Sequence, residues 1–314
     1  MTGPDAFTAA DRAARPSHRL DSQRLPTSGD GSDVSPTVPL PRSGNPRPAR
    51  ARTVRARLSE RDLAILQSLA ELRLMTGRQL QRLHVTSSKP VTAGRRTRAV
   101  LRRLTELHAV VRLGRRVGGI QAGSEGHVYG LSGLGHAVLA LDGRGGVRGR
   151  TIWETKPAFQ DHLLAVGDLY VELCELHRDT RIELLSFETE PRAWRWFSGP
   201  SGERLPLKPD AFVALGVGEF EQRAFIEMDC GSESLPTIQR KCRRYLDYWQ
   251  SGEEQRTHGV FPRVWWLAHS ERRRDRIAEV VGSFSRQDQA IFSVGLAVDA
   301  GRLLAGVASA GGQS

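Results

Sequence analysis

Cysteine, lysine and aromatic residues are scarce in this sequence, and long apolar runs are missing. Only Cys174, Cys230 and Cys242 occur, none of them paired at metal-binding spacing. That disfavours a zinc ribbon and a disulfide framework, and makes a reducing cytoplasm the expected compartment. No apolar stretch approaches the roughly 20 residues that span a bilayer, and the N-terminus has no apolar signal core, so no membrane partner is expected. Asp5, Asp11, Asp21, Asp30 and Asp33 argue against a mitochondrial presequence. Glycine is plentiful, yet no Gly-rich loop ends in Lys followed by Ser or Thr, which disfavours an ATP-driven motor. His162, His177 and His269 lack Cys or His neighbours at ligand spacing. They carry no expected ligand role, and the histidine triad of a tyrosine-type relaxase is not visible.

What the chain does have is arginine. Its 46 basic and 35 acidic residues leave a formal charge of +11 over 314 residues, with a pI near 10.5. A charge of this sign suits a protein that tracks a polyanion, since each neutralised phosphate releases counterions. Guanidinium groups suit phosphate and guanine contacts, although a GC-rich genome enriches arginine as well.

Residues 1–57 are rich in Pro, Ser, Gly, Asp and Arg without apolar periodicity, and read as a disordered basic arm. A module follows over 58–142. Ser59 with Asp62 marks one helix start, and Leu63, Ile65, Leu66, Leu69 and Leu72 supply its apolar stripe. Thr76 with Gln79 marks a second start. A third helix is expected over 92–107, with Val100, Leu101, Leu104 and Leu107 inward and Arg95, Arg96, Arg98, Arg102 and Arg103 on its other faces. Strands over 110–113 and 127–131 flank a Gly/Arg loop containing Arg115 and Arg116, and a helix over 132–141 closes the module. Three short helices and a basic hairpin resemble a winged helix-turn-helix, in which the third helix enters the major groove and the wing touches phosphate or the minor groove. Double-stranded DNA is therefore the expected partner, contacted by these seven arginines. A solvated arginine face is the alternative reading of the same helix.

A linker over 143–157 leads to a second module over 158–300, and 301–314 reads as a disordered tail. The module opens with a helix over 159–176. Strands are expected over 182–187, 193–197, 209–215, 223–229, 263–269 and 291–298, with helices over 235–250 and 271–281. The overall class is α+β or α/β with a mixed central sheet. Side chains alternate along a strand, so Phe225, Glu227 and Asp229 share one face, with the two carboxylates roughly 7 Å apart. Asp210 joins them if its strand pairs with theirs. Converging carboxylates repel and lose hydration unless a cation compensates, and oxygen-rich sites suit Mg²⁺ or Mn²⁺ and phosphodiester hydrolysis. A solvated sheet face is the bland alternative. Trp194 and Trp196 share a face with period two, which fits either stacking on unpaired bases or, the preferred reading, packing on a helix. Trp265, Trp266, Tyr245 and Tyr248 read as core.

The α-β-β-β-α-β order, with Pro209-Asp210 opening one strand and Glu227 in the next, resembles the PD-(D/E)xK nuclease superfamily. That resemblance implies Asp210 and Glu227 as metal ligands for one or two Mg²⁺ ions, with a lysine orienting the attacking water. Asp229 stands where the lysine would be, and would then be an auxiliary ligand. Lys241 on the following helix is the best substitute for the lysine, and Glu172 on the opening helix is where related nucleases often add an acidic ligand. The run from Leu207 to Val213, the strand Phe225 to Asp229 and the helix Lys241 to Tyr248 also resemble the replication-relaxation family of plasmid-associated proteins, over roughly residues 58–285. The resemblance implies a role in plasmid replication or relaxation without fixing a chemistry. Three readings stay open: a Mg²⁺-dependent nicking endonuclease, a non-enzymatic initiator or regulator on a degenerate nuclease fold, and a ligand-sensing transcription factor. Winged-helix modules often pair, so a homodimer is a candidate assembly, although no heptad seam is visible.

Overall fold

The first described element is a helix, inside the segment whose composition predicts a disordered arm. The computed structural model describes residues 46–85, 90–113, 127–144, 157–199 and 201–306. Helix α1 (Pro46–Arg55) buries Ala51 and Val54, three residues apart on one face, and Arg55 donates to Asp142 at 2.7 Å. Two apolar side chains at helical spacing are enough to order a segment whose composition is otherwise polar.

Both expected capping boxes form. Ser59 caps α2 (Glu60–Leu72) with Asp62 reciprocating, and Thr76 caps α3 (Gly77–His84) with Gln79 reciprocating. Between them lies a short strand that the sequence does not predict, β1 (Leu74–Thr76). Helix α4 (Pro90–Glu106) follows, then β2 (Val110–Arg112), β3 (Val128–Leu131) and α5 (Gly133–Leu141), which Ser132 caps. The three strands form an antiparallel sheet in the order β1-β3-β2. Val100, Leu101 and Leu104 of α4, with Leu107 just past its end, are buried in a core shared with α1, α2 and α5. Arg115 and Arg116 lie outside the described residues.

Helix α6 (Pro157–Arg178) belongs to two cores at once. Val171 packs with the N-terminal helices, whereas Val166, Leu169 and Leu173 pack beneath the main sheet. Gln79 Nε2 donates to the Leu164 carbonyl at 2.8 Å, and Arg82 Nε donates to Glu175 at 2.8 Å. The N-terminal module therefore sits directly on the helix that opens the second one.

The main sheet is mixed and five-stranded. It is built from β4 (Glu183–Thr189), β7 (Ala211–Val217), β8 (Phe220–Asp229), β9 (Arg263–Ala268) and β10 (Phe292–Leu296), in the order β10-β9-β8-β7-β4. The β4-β7-β8 part is antiparallel and the β8-β9-β10 part parallel. Two strands, β5 (Arg195–Ser198) and β6 (Arg204–Leu207), form a separate antiparallel hairpin between β4 and β7 in the chain. Around the main sheet the order is thus α-β-β-β-α-β followed by α-β, as expected, with a hairpin inserted.

Helices α7 (Leu235–Ser251), α8 (Glu253–His258), α9 (Glu271–Gly282), α10 (Arg286–Gln289) and α11 (Ala300–Leu304) complete the described residues, with a 3-10 turn at Ala297–Asp299. Leu304, in the segment expected to be a disordered tail, is buried with α6. On β8, Phe225 faces Tyr245 of α7 and Trp266 of β9, while Ala224, Ile226 and Met228 face Val166 and Leu169 of α6. The period-two alternation therefore holds, and the sheet is covered on both faces. None of the described helices is long and apolar enough to cross a membrane.

Candidate functional site

Strand pairing decides which carboxylates meet. Ala211 of β7 is opposite Ile226 of β8, so one further step in this antiparallel register sets Asp210 across from Glu227. The Asp210 amide donates to the Ile226 carbonyl at 3.0 Å. Glu227 and Asp229 follow on the same face of β8, 2% and 4% exposed. Four acidic side chains thus gather at one end of the β7-β8 pair once Glu233, just after β8, is counted. Uncompensated, such a cluster would not stay ionised inside a fold.

Three cations answer the four carboxylates. His162, on α6, places Nε2 3.2 Å from Asp210 Oδ1 and Nδ1 3.1 Å from the Met228 carbonyl. Burial opposes a charge on this imidazole, but Asp210 and Cys230 outweigh it and raise its pKa to about 10. His162 is then an imidazolium donating from both nitrogens. The other Asp210 oxygen accepts the Met228 amide at 2.7 Å.

Helix α7 supplies the second cation by its own periodicity. Lys241 and Tyr245 are four residues apart, hence on one face. Lys241 Nζ donates to Glu227 Oε2 at 2.9 Å, and the Tyr245 hydroxyl donates to Glu227 Oε1 at 2.7 Å. The same ammonium lies 2.9 Å from Glu233 and over the Trp266 ring at 5.8 Å. Burial lowers the Lys241 pKa, but Glu227, Asp210 and Glu233 outweigh it and hold it well above the usual lysine range. The Glu227 pKa is also pushed up, to about 7, first by burial and then by Asp210, against the pull of Lys241 and Tyr245.

The third cation is Arg273, at the start of α9. Its guanidinium grips Asp229 with two bonds of 2.8 Å, in the fork geometry that suits a carboxylate. The Gly231 amide adds a third donor at 2.8 Å. Gly231 has φ +85°, and a Cβ there would lie 2.7 Å from the His269 ring, so this tight turn needs glycine.

Among the sequence-based candidates, Asp210, Glu227, Asp229 and Lys241 are brought together. Glu172 is not: it lies ten residues beyond His162 on α6, about 15 Å along the helix axis. Its carboxyl takes the backbone amide of Gly301, and burial raises its pKa. His162, Tyr245, Glu233 and Arg273 are the partners that sequence reasoning misses. A divalent-metal site needs several free oxygens turned to one point. Here both oxygens of Asp210, Glu227 and Asp229 already have donors within 3.2 Å. Among the described residues no group of three or more His, Cys, Asp or Glu side chains is arranged to hold a metal ion. The donor set as placed does not fit Mg²⁺ or Mn²⁺.

The replication-relaxation family model matches residues 66–264. That span is well over half of the chain. The chain belongs to the replication-relaxation family. No curated protein and no solved structure matches it. The matched segment contains Asp210, Glu227, Asp229, His162 and Lys241, while Arg273 lies beyond it. It also contains α4, which carries five arginines, more basic residues than any other described helix. Arg95, Arg96, Arg98 and Arg102 are exposed there, with Arg102 only loosely approached by Glu106 at 3.8 Å. Arg103 differs from its neighbours. It donates to the fully buried Asp62 at 2.6 Å and to the Arg57 carbonyl at 3.3 Å. Its guanidinium is held by the protein itself, unlike those of its exposed neighbours.

Proposed function

We propose that this replication-relaxation protein is a DNA-binding component of plasmid or mobile-element replication that grips duplex DNA without cutting it. The N-terminal module acts as a winged helix whose α4 enters the major groove. Arg95, Arg98 and Arg102 fall at i, i+3 and i+7 along it, one outward stripe opposite the buried Val100, Leu101 and Leu104. The nuclease-like second module serves as a scaffold. The observation that carries the non-cutting reading is the closure of the carboxylate cluster: His162, Lys241 and Arg273 take up carboxylate oxygens of Asp210, Glu227 and Asp229 that a nuclease would turn to metal. One observation favours the opposite reading, a metal-dependent nickase: Lys241 reaches Glu227 from the next helix, as a migrated catalytic lysine would.

Incubation with negatively supercoiled plasmid in Mg²⁺, Mn²⁺ or EDTA separates the two. The expected outcome is retarded, uncut plasmid in all three, for the parent and for Glu227→Ala. Metal-dependent nicking that Glu227→Ala abolishes would replace this reading with the nickase.

A further inference from the structure

The hairpin β5-β6 has an outward face with a composition unlike the rest of the fold. Its inward side is conventional: Phe197 and Leu207 are 2% exposed, and Phe197 meets Tyr248 at a tilt with ring centres 5.1 Å apart. Arg195 also turns inward, over Phe212 at 4.9 Å and Phe225 at 5.6 Å, with Glu188 and Glu254 at 3.5 and 3.7 Å. The alternation then throws Trp196 outward, against Pro206 of the paired strand. The preferred sequence expectation is a helix packed against this indole; instead Trp196 is 48% exposed.

Two cations accompany Trp196 and its half-buried neighbour Trp194. Arg204 lies over the Trp196 ring at 4.8 Å, and Lys208 over the Trp194 ring at 4.4 Å. The two couples are one strand repeat apart, roughly 7 Å. Arg192, Arg204 and Lys208 are exposed around them. Two acidic neighbours are turned onto backbone amides, Glu203 onto Ser201 and Glu253 onto Ser198, each at 3.0 Å. An exposed tryptophan flanked by cations is a pairing by which proteins hold unpaired bases: the aromatic face takes the base and the flanking cation takes its phosphate. A duplex offers no free base face to such a ledge.

We infer that the outward face of the β5-β6 hairpin is a binding platform for single-stranded DNA, with Trp196 as the stacking residue and Arg204 and Lys208 as phosphate contacts. The platform is independent of the α4 stripe, so one chain would hold duplex and unpaired strand together, the two forms of DNA that coexist where replication opens a template.

The test is fluorescence anisotropy of a labelled oligodeoxythymidine of about 15 nucleotides, within the site sizes of single-strand binders, beside a duplex of equal length at matched salt. Trp196→Ala is expected to weaken the oligonucleotide about tenfold, in line with the loss of one stacked base, and to leave the duplex affinity unchanged. Trp196→Phe should restore most of the loss. Trp196 is exposed, so these variants keep the fold, which circular dichroism verifies. The inference is overturned if the parent does not bind the oligonucleotide, if Trp196→Ala binds it as tightly as the parent, or if single strand and duplex weaken alike. Arg98→Ala reports on α4 separately: weakened duplex binding with intact oligonucleotide binding leaves both readings standing. No effect on either sinks the duplex reading alone.

Discussion

Lys241 and Tyr245, one turn apart on α7, hold the two oxygens of the same buried carboxylate, Glu227. Each donor offsets part of the cost of burying that carboxylate. Lys241→Met is therefore expected to destabilise the fold by about 3–5 kcal/mol, the range for breaking a buried pair from one side. Glu227→Gln combined with Lys241→Met removes both charges and should recover a large part of that loss. Urea denaturation at neutral pH, with the m-value checked for constancy, measures both.

The same carboxylate makes stability depend on pH. Glu227 has its folded-state pKa raised to about 7 from 4.5, by burial first and Asp210 second. The folded state then binds the proton more tightly than the unfolded one. Its contribution to stability is present below the unfolded value and lost as pH rises through the folded one. Midpoints of the parent should fall between about pH 4.5 and 7 relative to Glu227→Gln, which lacks the titrating group. An equal slope in both proteins would show that Glu227 is not the source.

His162 imposes a second, higher window. Burial opposes its charge, but Asp210 and Cys230 raise its pKa to about 10 from 6.5. Stability from the imidazolium is full below the unfolded value and is lost as pH climbs through the folded one. NMR titration of the His162 ring should show no proton loss at neutral pH and a midpoint well into the alkaline range. His162→Gln keeps a donor for one partner and should flatten the alkaline arm of the stability curve.

Gly135 marks where α5 docks on the small sheet. A Cβ there would sit 2.3 Å from the Ala109 carbonyl and 2.5 Å from Leu131 Cδ1. The carbonyl belongs to the backbone and cannot rotate away. Gly135→Ala should cost about 1–3 kcal/mol as overpacking, even though alanine is the better helix former. Gly143→Ala, in open space but at φ +67°, should cost about 1 kcal/mol from backbone strain alone. Thermal melts of the pair separate crowding from strain.

Much of this fold is legible in the sequence because its signals are local. Capping boxes at Ser59 and Thr76, the apolar stripe of α4 and the alternation along β8 each declare themselves within a few residues. So does the meeting of Asp210 with Glu227, which needs only two adjacent strands in register. The partners that close the site are hidden for the opposite reason. Arg273 is 44 residues from Asp229 and His162 is 48 from Asp210, with no shared periodicity to link them. Helix α1 escapes notice because two small apolar side chains, Ala51 and Val54, barely register against the arginines around them. Strand β1 does so because three residues are too few to show a period.

Arg98 and Arg103 show why arginines on one helix should not be read as one set. Both lie on α4, five residues apart and thus on different faces. Arg98 is exposed, whereas Arg103 reaches the buried Asp62, whose pKa falls because Arg103 and Ser59 outweigh the effect of burial. If α4 touches phosphates, Arg98→Ala should weaken duplex binding and reduce the magnitude of the salt slope by about 0.9 for each phosphate no longer neutralised. Its melting curve should match the parent's. Arg103→Ala should do the reverse at first order. It strands part of a buried carboxylate, costing about 1–3 kcal/mol, and leaves the salt slope alone once the protein is folded. Binding isotherms at several salt concentrations, paired with urea melts, assign each arginine by which of the two curves moves. Equal salt slopes for Arg98→Ala and the parent would remove that side chain from the DNA interface, whatever the charge of the helix around it.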